Sequence, residues 1–354
     1  MGLCVEWIDN GAAFHSLRDQ WDHLAAGDPT PFSRHAWFAA FIDAFAPSRL
    51  RTCTVWSGDR LVAALPARST VLGLTALAND HTPALRPLAE DDASLVVLCA
   101  ESIRARPTLA VRAVPAEHAA LASLAHAAAE ISAPYLVEPA HVSPFVDTSG
   151  GYGRYRWARR RALAEYERRR RKLEREHAVE IVTVAQPPDL WARLEEGFRL
   201  EARGWKGRRG TAILSSAQTE TFYRVLVERY TETGEIRLSW LRVDGVLAAF
   251  DLALLDRGRY HLLKTAYNED LRRWGPGMLL RLAVVERCFE TAVTSHEFLG
   301  DDMPWKRVFA TGKRPHVSFR RYGPGPVGRT RLGYRRHARP ILKSMRDAVR
   351  GPRG

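Results

Sequence analysis

Apolar positions along this chain fall into two patterns. Short runs alternate apolar and polar residues, and longer stretches repeat an apolar residue every three to four positions. Alternation gives a strand one buried face, and the longer repeat gives a helix one buried stripe. Read this way, the first half opens with a strand at 4–8 and a helix over 14–25. Asp28-Pro29-Thr30-Pro31 breaks the chain, and Ser33 is the expected N-cap of a helix running to Phe45. Residues 51–56 and 61–67 read as hairpin strands around Ser57-Gly58-Asp59-Arg60. Residues 95–99 and 108–114 read as further strands, and an alanine-rich helix follows from Pro115 to Ile131. Residues 134–153, rich in proline, glycine and serine, carry no clear element and read as a linker.

The second half repeats the plan. Residues 156–177 predict one charged helix with a thin apolar seam at Leu163, Tyr166 and Leu173. A strand at 179–184, helices at 189–202 and 216–233, a hairpin at 235–255 turning on Asp244-Gly245, and a strand at 259–267 follow. The segment Arg272-Arg273-Trp274-Gly275-Pro276-Gly277 then opens into an amphipathic helix to Thr291, and 296–299 is a short strand. Trp56-Ser57-Gly58-Asp59-Arg60-Leu61-Val62-Ala63-Ala64 resembles Arg242-Val243-Asp244-Gly245-Val246-Leu247-Ala248-Ala249, a weak internal duplication. The expected fold class is α+β: two halves of similar topology, 1–150 and 151–325, with mixed sheets flanked by helices, and a basic tail over 326–354. In that tail, 340–349 predicts a helix with Ile341, Leu342, Met345 and Val349 on one side.

Composition narrows the class. A chain of 354 residues suits about two domains with a sizeable core. No apolar run approaches the roughly 18–20 residues of a membrane span. Met1 to Glu6 shows neither a basic nor an apolar leader region, and Cys4, Cys53, Cys99 and Cys288 lie far apart, so a reducing cytoplasmic setting is expected. The histidines show no metal-ligand spacing, and no metal is expected. The net charge of +13 is localised. Residues 154–176 carry eleven basic against four acidic side chains, and residues 313–354 carry thirteen against one. The rest is mildly acidic. A basic belt and tail on such a body point to an anionic partner: a phosphate-bearing cofactor, an anionic membrane face or RNA.

The strand, glycine turn and helix at 259–291 form a unit that can hold a diphosphate. Glycines let the backbone close on the ligand, and the helix N-terminus faces its charge. Arg272 precedes the loop, where a cation meets phosphate. No Gly-Lys-Ser/Thr follows, which excludes a P-loop, and no acidic residue sits where a dinucleotide fold needs one.

The order strand, Arg-x-x-Gly-x-Gly, helix, short strand resembles motif A of the GNAT acyltransferases. More specifically, the chain resembles the CelD/BcsL-type acetyltransferases associated with cellulose biosynthesis, relatives of the FemAB amino acid transferases. The likeness covers roughly residues 1–325. It is carried by Pro31-Phe32-Ser33-Arg34-His35-Ala36-Trp37, by Glu201-Ala202-Arg203-Gly204-Trp205-Lys206-Gly207, by Lys264-Thr265-Ala266-Tyr267, and by Phe298-Leu299-Gly300-Asp301 with Trp305-Lys306. The resemblance implies tandem GNAT-like halves, the second binding acetyl-CoA or another acyl-CoA and the first helping to recognise the acceptor. Gly275, Gly277 and Met278 would then offer main-chain N–H groups to the diphosphate beside Arg272. Thr265 and Ala266 would pair with the pantetheine amides.

Acyl transfer to an amine or hydroxyl also needs a base and an acid. Glu297 is the first candidate base and Asp251 the second; Tyr267 is the candidate acid. Lys306 matches a lysine that faces the acceptor or reacting carbonyl in FemAB-like enzymes. Trp205 and Lys206, read as a glycine-framed loop, and His81 are candidate acceptor contacts. The expected acceptor is a saccharide or envelope-related amine or hydroxyl. Two other readings stand beside this one: a FemAB-like transferase using aminoacyl-tRNA, and a non-catalytic scaffold on the inner membrane face.

Overall fold

The computed structural model describes residues 2–338, and the helix expected over 340–349 lies outside them. The first half runs β1 (Leu3–Ile8), α1 (Gly11–His15), α2 (Arg18–Leu24), α3 (His35–Phe45), β2 (Thr52–Ser57), β3 (Arg60–Leu65), β4 (Ala67–Ser69), β5 (Leu74–Ala76), β6 (Leu88–Ala89), α4 (Asp92–Arg104), β7 (Leu109–Pro115), α5 (Ala120–Glu130) and β8 (Tyr135–Asp147). After the long α6 (Tyr152–Glu176) come β9 (Val179–Val184), α7 (Leu190–Arg203), α8 (Trp205–Arg208), α9 (Ala217–Glu232), β10 (Ile236–Val243), β11 (Val246–Asp256) and β12 (Arg259–Tyr267). The chain continues through α10 (Pro276–Glu290), β13 (Ser295–Glu297), α11 (Pro304–Phe309), β14 (Gly312–Arg321) and α12 (Gly325–Gly333). The class is α+β, with mixed sheets flanked by helices.

The two halves share a device. In the first, β5 and β7 pair in parallel across α4; in the second, β12 and β13 pair in parallel across α10. The halves also exchange strands. One sheet runs β4-β5-β7-β14-β8-β13-β12-β11-β10-β9, so that β14 of the second half lies between β7 and β8 of the first, and β8 lies between β14 and β13. The stretch expected to be a linker is therefore a 13-residue strand. Pro139 and Pro144 and sparse apolar residues hid it. Its partners come from strands more than a hundred residues downstream, which local pattern does not report.

Residues 95–99 form part of helix α4 and not a strand. Asp91 accepts the Ser94 N–H at 2.8 Å, and the Ser94 hydroxyl reaches back toward the Asp91 N–H, a capping box. The apolar run buries Leu95, Leu98, Cys99 and Ile103 at helical spacing. A short continuous apolar run cannot by itself distinguish strand from helix. Ser33 is not the cap of α3. Arg34 holds that position, and the Asp22 carboxylate accepts the His35 N–H at 3.0 Å. The Pro31–Trp37 passage instead bolts the halves together. The Arg34 guanidinium bridges Glu235 and Asp256, and the Tyr230 hydroxyl donates to the Pro31 carbonyl at 2.5 Å. Trp37 packs edge-on against Phe222. One apolar core accordingly runs from Phe14 and Trp21 through Phe222 to Phe250.

Candidate active site

The parallel pairing of β12 and β13 spans only Arg259–His261 against Ser295–Glu297. Beyond His261, β12 continues to Tyr267, while the chain after β13 turns away through Leu299 and Gly300, both at positive φ (55° and 58°). The strands therefore splay. A cleft of about 1720 Å³ opens there, walled by both halves: residues 78–83 and 136–141 from the first, and 200–201, 204–206, 262–267, 272, 275, 277–278 and 298–306 from the second.

The glycine loop forms one end of this cleft. Gly275 takes the left-handed conformation (φ 69°, ψ 47°) as N-cap of α10, a position glycine fills at little cost, and Pro276 follows in the first turn. The Gly275 N–H bonds to the Arg272 carbonyl at 3.0 Å, and the Met278 N–H bonds to the Gly275 carbonyl at 2.9 Å. This corrects the expectation that Gly275, Gly277 and Met278 all offer amides. The Gly277 N–H has no hydrogen-bond partner among the described residues, and the Arg272 guanidinium makes no hydrogen bond or ion pair there, only feeling the charge of Glu269. A further cation arrives from α6: a Cβ on Gly275 would stand 3.4 Å from the Arg169 guanidinium. Tyr267 lies beside this end too, its ring carbons 3.6–3.7 Å from where a Gly277 Cβ would be.

The Gly204–Gly207 segment is a short helix, α8, and not a loop. Gly207 packs so tightly on the end of α7 that a Cβ would stand 1.7 Å from the Ala202 carbonyl oxygen, which admits no larger residue there. The Trp205 N–H bonds to Glu269 at 2.7 Å. The Lys206 ammonium donates to the Thr265 carbonyl at 2.7 Å and to Glu201 Oε1 at 2.8 Å, while Glu201 Oε2 accepts the Ile213 N–H at 2.8 Å. Burial alone would raise the Glu201 carboxyl. The Lys206 and Lys264 charges and these hydrogen bonds hold it below its ordinary value instead. Lys264, on β12, lies 4.8 Å over the Tyr223 ring, and burial pushes its ammonium down to about 8. His81 packs against Tyr223 and Phe45 within hydrogen-bonding reach of the Thr219 and Tyr223 hydroxyls, and burial pushes it down to about 4.

Opposite, the Lys306 ammonium caps the main chain of the splayed segment. It donates to the Leu299 carbonyl at 2.5 Å and the Asp301 carbonyl at 2.7 Å, and burial pushes it down to about 8. The cleft thus brings together Lys306, Tyr267, Thr265, Ala266, Arg272, Gly275, Gly277, Met278, Trp205, Lys206 and His81.

It does not bring Glu297 or Asp251. Glu297 is held by Arg314 at 2.9 Å and by the Ser295 hydroxyl at 2.9 Å, and is 4% exposed. Asp251 is fully buried, 2.5 Å from Arg281 of α10, whose guanidinium also meets His296 of β13 at 3.2 Å. Burial pushes the Asp251 carboxyl up, against the pull of Arg281. Both carboxylates brace the strands that splay and neither lines the cleft, so neither stands where a base meets an acceptor. Sequence reasoning passed over Glu201 and Lys264 as chemical groups, although both sit in motifs it had singled out. Their closeness to Lys206 is a tertiary fact.

Residues 159–307 match the sequence model of the acetyltransferase (GNAT) domain family. Among solved structures, the chain resembles the C-terminal domain of a putative lysylphosphatidylglycerol synthetase from Agrobacterium fabrum, with a TM-score of 0.55 at 14% identity over 88% of this chain and 92% of that one. It also resembles FemX (TM-score 0.53, 9% identity, 90% and 97% covered) and L-PGS from Bacillus licheniformis (TM-score 0.50, 10% identity, 90% and 96% covered). At such identities the likeness is one of fold. A comparison with curated protein sequences finds no match. The family match, whose residues lie in the second half, and the shared fold support a GNAT-type acyltransferase.

Proposed function

We propose that this protein is an acyl-CoA-dependent acyltransferase, with acetyl-CoA the simplest donor. It would move the acyl group to an amine or hydroxyl held between the two halves. The observation that carries this reading is the loop ahead of α10. Its one open amide, on Gly277, lies at the cleft at a helix N-terminus, flanked by Arg272 and Arg169, at the end of a strand whose outer edge has no strand partner beyond His261. That edge suits a donor whose diphosphate sits at the loop and whose pantetheine lies along Thr265 and Ala266. Lys206 uses one lone pair of the Thr265 carbonyl, and a second remains.

In the reaction, the acceptor's lone pair attacks the thioester carbonyl carbon. The carbon–sulfur bond breaks, the acceptor loses its proton, and the thiolate takes one up. The chain's part is to orient the two reactants and oppose the oxyanion with fixed positive charge. Lys206, paired with Glu201 and bonded to the Thr265 carbonyl, fixes the wall beside the donor strand. Tyr267 lies at the diphosphate end of β12, a poor station for protonating a thiolate further along the strand. The sequence passages resemble those of the acetyltransferases associated with cellulose biosynthesis, and that resemblance favours a saccharide or envelope-related acceptor. Residues 1–150 would supply most acceptor contacts, and 151–325 the donor site. Calorimetry with acetyl-, butyryl- and palmitoyl-CoA tests the donor: saturable binding in the wild type, lost in Gly277→Trp with the fold retained, is expected. Unchanged affinity in that variant overturns the reading.

One observation favours a second donor, aminoacyl-tRNA. Arg154, Arg161, Arg168 and Arg175 stand seven residues apart on the exposed side of α6, a single cationic line on the helix that also sends Arg169 to the glycine loop. A phosphate backbone could follow that line. A steep fall in tRNA affinity with salt, and no saturable acyl-CoA binding, would mark that donor.

A further inference from the structure

Among the described residues, Lys264 lines the cleft with its charge paired to no carboxylate. Its ammonium has three donors, yet it has no hydrogen-bond or ion-pair partner among the described residues, only the Tyr223 ring 4.8 Å away. The neighbouring carboxylate is already committed. One Glu201 oxygen holds Lys206 and the other holds the Ile213 amide, each at 2.8 Å. Two ammonium groups therefore share one carboxylate, and a single positive charge remains at a largely enclosed site. Sheltered ammonium groups are ordinarily paired, because removing one from water without a partner is costly. The ordinary explanation for an exception is a ligand.

The position says which ligand. Lys264 precedes Tyr267 by three residues on β12, so it lies roughly 10 Å along the strand from the glycine loop. That is the acyl and acceptor end of the cleft, away from the diphosphate. The local count around Glu201 says what kind: two ammonium groups against one carboxylate leave one net positive charge at this spot, which suits a monoanion better than a dianionic phosphate monoester. His81, neutral through burial at neutral pH, packs on the same Tyr223 and adds no second charge. Burial and the neighbouring Lys206 charge lower Lys264 to about 8, and the shared Glu201 carboxylate offsets them only in part.

We infer that the acceptor is bound through a monoanionic acid group, a carboxylate or a phosphodiester, which salt-bridges to Lys264. This rests on the transferase reading above and narrows its acceptor to amines or alcohols that also carry such a group. The probes are acetate, dimethyl phosphate, inorganic phosphate and the neutral acetamide, titrated into the full chain carrying ¹³Cε-labelled lysine. The Lys264 signal is assigned by its absence in Lys264→Arg. Acetate or dimethyl phosphate is expected to shift that signal saturably, acetate alone marking a carboxylate and dimethyl phosphate alone a phosphodiester. By calorimetry, the affinity should fall at least tenfold in Lys264→Met and stay within a few-fold in Lys264→Arg. Absence of any saturable shift in the wild type, an equal response to acetamide, tighter binding of inorganic phosphate, or unchanged affinity in Lys264→Met overturns the proposal. Acyl-CoA affinity, measured on the same samples, reports the donor site separately. Its absence in the wild type would sink the transferase reading, whereas intact acyl-CoA binding with no anion response would sink only the acceptor assignment.

Discussion

The Lys206 ammonium sits 2.7 Å from the carbonyl oxygen of Thr265, and so ties the segment after α7 to the strand on which the donor is proposed to lie. Glu201 holds it there from below, almost fully buried. Lys206→Met leaves that carboxylate without its main counter-charge, and loss of one member of a buried pair typically costs about 3–5 kcal/mol. Chemical unfolding should show a loss of this order.

The same pair sets an acid limit. The Glu201 carboxyl is held below its ordinary 4.5 in the folded protein, so its contribution is fully present above that value. It fades as pH falls through the folded value, because the unfolded chain binds the proton more readily. Unfolding midpoints followed from pH 6 down to pH 3.5 should fall less steeply in Glu201→Gln than in the wild type.

Lys306 acts on the alkaline side with the opposite sense. Burial lowers it to about 8 from its ordinary 10.5. Between those values the unfolded chain carries a proton that the native state has released, so this group makes stability rise with pH. Comparing urea midpoints at pH 7.5 and 9.5, Lys306→Met should show a smaller rise than the wild type.

Gly275 and Gly277 should separate backbone from ligand effects. An alanine at Gly275 must adopt φ near 69°, a strain of about 1–2 kcal/mol. A tryptophan at Gly277 should leave the melting temperature within a few degrees and abolish acyl-CoA binding, since the glycine faces the cleft. Calorimetry and thermal melts on both variants check this.

Arg281 joins α10 to β11 through Asp251 and to β13 through His296, all three side chains being buried. Arg281→Met should destabilise by about 3–5 kcal/mol, and the double change Arg281→Met with Asp251→Leu by much less, because it strands no charge. A double-mutant cycle in urea measures the difference.

Much of the second half was legible in the sequence because its signals are local. The Asp244-Gly245 turn shows positive φ at both residues, as its hairpin requires, and the helix after Gly275-Pro276-Gly277 starts where proline and glycine place it. Leu163 and Leu173 are buried along α6 as their spacing indicated. What stayed hidden depends on partners distant in sequence. Strand β8 is defined by β13 and β14. What separates Glu297 from Glu201 is that one meets Arg314 in the sheet and the other meets Lys206 at the cleft. A carboxylate beside a short strand looks the same in sequence whether it faces solvent, an arginine or a substrate.

The interleaving of β8 with β13 and β14 sets the order in which this molecule can be finished. As the polypeptide leaves the ribosome, β8 emerges long before either of its neighbours exists. At 5–20 residues per second the wait is on the order of ten seconds or more. Until then neither edge of that segment can pair as it does in the finished sheet, and an unpaired strand edge is a template for mispairing with another copy. Helix α6, with its dense arginines, is the next segment to appear. Its like charges would keep neighbouring nascent chains apart until the late strands arrive to close the seam.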